Sequence, residues 1–112
     1  MPKTKKTTIA EVGSGNVFAD LGLPNAEELN TKLRLCVVIN KILAQRKLTQ
    51  AEAALILGVN QPKISALKGY KLEGFSVERL MHFLTALDQD VEIVIRSKPD
   101  SRRDARIVVT AA

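Results

Sequence analysis

A chain of 112 residues, 46% hydrophobic but only 4% aromatic, is sized for one domain with an aliphatic core. Its longest apolar runs, Leu35 to Ile39 and Ala53 to Leu57, fall far short of the ~20 residues that span a bilayer. No apolar stretch follows the N-terminal lysines to make a secretory signal, and the single cysteine excludes an internal disulfide, which together point to the cytoplasm.

The net charge of +5 is unevenly spread. Lys41, Arg46, Lys47, Lys63, Lys68 and Lys71 meet only Glu52 in the central stretch, whereas Glu73, Glu78, Asp88, Asp90 and Glu92 follow against Arg79. A basic face beside an acidic one fits a polyanion on one side and a different partner on the other.

In chain order, residues 1–16 carry Lys3, Lys5 and Lys6 and end in Gly13-Ser14-Gly15-Asn16, the composition of a mobile basic arm. Val17, Phe18 and Leu21 suit a short helical turn ended by Gly22. Residues 17–90 are expected to form the main helical domain. Its first long helix should start at Asn25, where Asn25 and Glu28 follow Pro24 as a capping box. Leu29, Leu33, Cys36, Val37, Ile39, Ile42 and Leu43 make that helix apolar most of the way round, so it needs cover on more than one side.

Thr49 and Glu52 form a second capping box, and the helix from Gln50 to Leu57 stops at Gly58. Asn60 caps a third helix with Pro62 in its first turn, where a missing N–H costs little. Ile64 and Leu67 face inward and Gly69 ends the helix. After a polar loop, Ser76 caps a fourth helix, Phe75 and Leu80 fit a hydrophobic staple, and Leu80, Phe83, Leu84 and Leu87 form the buried stripe. Val91, Ile93 and Ile95 then alternate with Glu92, Val94 and Arg96, the pattern of a strand. Arg106 to Thr110 reads as a second strand beyond a charged loop that holds Pro99. Residues 91–112 are therefore expected to supply β strands and a tail, laid over Leu35, Val38 and Ile39 and serving for dimerisation.

The stretch from Leu48 to Gly69 carries the function. Two short helices that cross steeply need a small residue at closest approach, which Ala54 supplies, and a residue tolerant of positive φ between them, which Gly58 supplies. Such a pair can seat its second helix in a DNA major groove. Gln61, Lys63, Ser65 and Ala66 then fall on the face that meets base edges: Gln pairs with adenine and Ala touches the thymine methyl. Lys47, Gln50, Asn60, Lys68, Tyr70 and Lys71 surround that face as phosphate ligands.

The segment LTQAEAALILGVNQPKISALKG resembles the Cro/C1-type (XRE) helix-turn-helix family over the whole motif, with matching context from about Asn25 to Leu87. The resemblance implies a mainly α, Cro/C1-repressor-like helical bundle, here with a short C-terminal β segment. GSGNVFADLGLPNAEEL before the motif and GFSVERLMHFLTALDQDVEIVI after it look most like the HigA-type antitoxins of toxin–antitoxin pairs. In that family the residue matching Gln61 contacts a base and the one matching Gln50 a phosphate. Pro62 departs from a slot where the family often has a polar residue, and Gly69-Tyr70 from a common Asn-Gly or Arg-Gly.

What the resemblance implies is an autorepressing regulator, bound as a homodimer to a palindromic operator in double-stranded DNA, whose small basic toxin partner is of the RelE/HigB type. The alternatives are a stand-alone phage-type or host repressor, or an adaptor module that binds no DNA. No cofactor, metal, membrane or enzymatic activity is expected. Cys36 lies among apolar neighbours as a buried thiol, and His82 has no second ligand at metal spacing. Glu78, Asp88 and Asp90 have no nucleophile or phosphate loop beside them and read as solvated carboxylates, and Met81 as core or near-core.

Overall fold

The computed structural model describes residues 25–111. The basic arm and the turn expected around Val17 to Leu21 lie outside them. Among the described residues four helices follow one another: α1 Ala26–Gln45, α2 Gln50–Leu57, α3 Gln61–Lys68 and α4 Val77–Ala86. Three of the four start where a short polar side chain can take up an orphan N–H. Thr49 accepts from the Glu52 N–H at 3.1 Å while the Glu52 carboxylate accepts from the Thr49 N–H at 2.8 Å. Asn60 accepts from the Lys63 N–H at 2.9 Å, and Ser76 from the Arg79 N–H at 3.0 Å.

The expected box at Asn25 does not form. Asn25 sits in the left-handed region (φ 57°) and makes no side-chain cap, because capping requires an extended backbone there. Glu28 instead lies 3.6 Å from Lys32, one turn along α1.

α1 packs against α4, and α2 against α3. Cys36, Ile39 and Leu43 of α1, Ala53 of α2, Ile64 and Leu67 of α3, and Leu80 and Leu87 of the last helix and its cap are all but inaccessible to solvent. Burying an aliphatic side chain fully is worth about 1.5–3 kcal/mol, so this aliphatic centre holds the fold. Phe75 closes one end, edge-on to Phe83 at 5.8 Å between centroids. Leu35 and Ile39, expected with Val38 to need cover from a C-terminal ribbon, are buried and Val38 is half-buried, in a core against which Val91 and Val109 also pack.

Gly58 ends α2 at φ 70°, and both its N–H and that of Val59 return to the Ala54 carbonyl. A side chain at Gly58 would meet no atom, so the cost of replacing it comes from the backbone alone. Gly58→Ala is expected to lower stability by about 1–2 kcal/mol, read as a shift of the urea midpoint at unchanged slope. After α3 the left-handed residue is Tyr70 (φ 58°), not Gly69 (φ −91°).

The two strands expected at Val91 to Ile95 and Arg106 to Thr110 do not form: among the described residues there is no strand. A strand exists only through the backbone it pairs with, and these two segments do not pair with each other. The second segment lies on α1 instead. The Ile107 N–H donates to the Glu27 carboxylate at 2.8 Å, and Arg34 donates to the Val109 carbonyl. Val91 and Val109 pack against the core, while Ile93, Val94, Ile95 and Ile107 stand exposed.

Candidate nucleic-acid interface

α3 is eight residues long and two-sided. Ile64 and Leu67 are fully buried, so the helix cannot rotate without exposing both. Gln61, Ser65 and Lys68, at i, i+4 and i+7, share a second stripe beside the buried one and are exposed. Its far end is pinned from behind: the Leu67 carbonyl, which takes the Tyr70 N–H at 3.1 Å, also accepts from the Asn40 amide at 3.0 Å and the Cys36 thiol at 3.1 Å. Arg46 ties the end of α1 to α4 by donating to the Leu87 carbonyl, and it lies 3.9 Å from Asp88. Asn40 and Arg46 are positioning residues that local pattern does not reveal. The hint for Asn40 is a polar side chain one turn after Cys36, directly behind the apolar run Leu35 to Ile39.

Not all of the residues expected to read bases stand free. Gln61 and Ser65 are exposed on the outer face. Lys63 is half-buried and turned back, its Nζ 5.1 Å from the centre of the Phe75 ring. Ala66 is half-buried, its carbonyl accepting from the Lys71 N–H at 2.9 Å. Asn60 is exposed, but its Oδ1 is engaged in the cap, which leaves its NH2 for a ligand.

Among the residues expected to meet phosphate, Lys47, Gln50, Lys68, Tyr70 and Lys71 are all exposed. Gln50 is the first residue of α2, where free N–H groups and the helix dipole favour an anion. Lys47, after α1, and Lys68 and Tyr70, at the end of α3, line one shallow hollow of about 270 Å³, with Asn40 and Leu48 in its wall. Lys47 (φ 54°) and Tyr70 (φ 58°) both hold left-handed backbone conformations that cost a non-glycine residue about 1–2 kcal/mol. The lining of the hollow thus carries backbone strain on two sides.

Behind this face the Cys36 thiol is pushed up to about 12, chiefly by burial, with the Asn40 contact opposing. Its ordinary value is 9.0, so the thiolate is disfavoured in the folded chain. The raised value means that the stability Cys36 confers is complete below pH 9 and fades as pH rises toward 12. Native protein at pH 8 is expected to resist an aromatic disulfide reagent and to react on addition of urea; a Cys36→Ala variant should lose the alkaline fall in stability that belongs to the thiol. Among the described residues no cluster of His, Cys, Asp and Glu could hold a metal ion, and no helix is long and apolar enough to cross a membrane. His82 is exposed, 3.7 Å from Glu78, and Met81 is half-buried.

The helix-turn-helix domain family matches residues 17–96, which takes in all four helices and the first part of the segment after them. A solved structure named as an XRE family transcriptional regulator is 65% identical to this chain, with a TM-score of 0.77. The match covers 80% of this chain and 100% of that one. No curated protein matches the chain. The tight turn at Gly58, the buried inner side of α3 and its exposed outer face are thus seen in a sequence that belongs to the XRE family of helix-turn-helix domain proteins.

Proposed function

We propose that the chain is a sequence-specific DNA-binding regulator of transcription, acting in the cytoplasm as a homodimer on a palindromic operator. The observation that carries this is the outer face of α3: Gln61, Ser65 and Lys68 are exposed on a helix whose other side is locked into the core. The hollow of Lys47, Lys68 and Tyr70 at the end of that helix supplies the flanking phosphate contacts. One recognition helix reads only a few base pairs, and two-fold pairing supplies the rest of the site. A mobility-shift assay against genomic fragments, the region upstream of its own gene among them, tests this. The expected result is one preferred fragment, bound with an affinity that falls steeply with salt. Equal weak binding to every fragment would contradict it.

A finer reading makes the regulator an antitoxin that also neutralises a small basic toxin of the RelE/HigB type. What favours it, besides the resemblance, is the acidic character of the stretch after the basic motif, where Glu73, Glu78 and Asp88 are exposed and opposite in charge to such a partner. An adjacent gene for a small basic protein that co-purifies with this chain is the expected finding. A neighbour without toxin character and no co-purifying protein would leave the stand-alone repressor.

A further inference from the structure

The segment after α4 is complementary to itself. About Val94 the order is Asp90, Val91, Glu92, Ile93, Val94, Ile95, Arg96, Ser97, Lys98. Each acid on one side is matched by a base at the same distance on the other, and each flanking isoleucine by an isoleucine. Ile93, Val94 and Ile95 are 75%, 64% and 91% exposed, and among the described residues no hydrogen bond joins the backbone of residues 91–97 to any other group. Three consecutive β-branched residues left in water beside unpaired backbone are what a strand edge offers to a partner.

We infer that residues Asp90 to Lys98 of two copies pair as antiparallel strands about a two-fold axis at Val94, making the interface of the homodimer. In this register Val94 meets Val94 of the second copy, Ile93 meets Ile95, Glu92 meets Arg96 and Asp90 meets Lys98, each of the last three contacts occurring twice. Alternation puts Val91, Ile93 and Ile95 on one face of the ribbon and the four ion pairs on the other.

The competing arrangements are disfavoured by the same charges. Parallel pairing sets Glu92 against Glu92 and Arg96 against Arg96. A slip of two residues one way sets Asp90 against Asp100. A slip the other way leaves Glu92 opposite Val94 and draws in Asp88, whose φ of 66° lies outside the strand region. The strand pattern that the single chain leaves without a partner is thus completed by a second copy.

This inference rests on the homodimer in the proposed function and not on its DNA contacts, so the two are tested apart. Antiparallel pairing brings paired Cα atoms to about 4.5–5.5 Å, within disulfide reach. Under oxidised glutathione, Val94→Cys in the full chain is expected to convert to a species of doubled mass on a non-reducing gel. Ile93→Cys alone is expected to remain single and to cross-link when mixed with Ile95→Cys; Cys36 is buried and does not compete. Glu92→Arg and Arg96→Glu singly are expected to weaken dimerisation by about tenfold, since each puts like charges opposite one another, and the double exchange to restore it.

A chain that sediments as a monomer at every concentration would overturn the inference. So would a dimer in which Val94→Cys does not cross-link, or in which the double exchange is no better than the singles. A cross-linked dimer without preference for any DNA would support the pairing and remove the DNA-binding function instead.

Discussion

Ile64→Ala is expected to lower stability by about 2–5 kcal/mol, a large share of the ~5–15 kcal/mol that a domain of this size possesses. Ile64 is fully buried on the inner side of α3, where the helix meets the common core, so its loss leaves a cavity that α2, itself short, is poorly placed to close. The effect reaches function because Ile64 and Leu67 alone are buried on α3 and set its rotation. Urea unfolding should show a lower midpoint with unchanged slope. Binding to the preferred DNA fragment should weaken even where the variant is still folded. A loss below about 1 kcal/mol would mean that α3 is not anchored through this side chain.

The second large effect separates reading from attraction. Gln61→Ala is expected to cost about 1–3 kcal/mol on the preferred operator and little on random DNA, because a base-edge hydrogen bond discriminates and a phosphate contact does not. Lys68→Ala should weaken all sequences about equally and flatten the dependence of log affinity on log salt by about one unit. Both side chains are exposed and outside the core, so neither change should move the unfolding midpoint appreciably. Equal losses for Gln61→Ala on operator and random duplexes would show that this residue does not read bases. Lys63→Ala offers a contrast: its ammonium rests over Phe75, so it is expected to act on the α3–α4 loop before it acts on DNA.

The helices were legible where their signals are local. The caps at Thr49, Asn60 and Ser76, the stop at Gly58 and the inward pair Ile64 and Leu67 depend on neighbours within a turn or two, and sequence spacing carries that information. Asn25 has the right residue type for a cap, but its backbone is left-handed, and residue type does not report φ. Alternation at Val91 to Ile95 predicts a strand that the chain does not form, because a strand also needs a partner backbone, which the pattern of one segment cannot specify. The outer face of α3 was legible in part: Gln61 and Ser65 are exposed as the motif implies, whereas the fate of Lys63 depends on Phe75 in a following loop. Asn40 and Arg46 escaped notice because their acceptors, the carbonyls of Leu67 and Leu87, are remote in sequence and belong to helix ends that only the fold brings near.

The central claim, that the exposed side of α3 is the DNA-binding surface, is tested most directly by titrating the isotope-labelled full chain with its preferred duplex and following backbone amide shifts. The account predicts that the largest changes fall on Gln50, on Asn60, Gln61 and Ser65, and on Lys68 and Tyr70, with α4 little affected. Changes concentrated on the acidic residues Glu73, Glu78 and Asp88, with α3 unmoved, would contradict it.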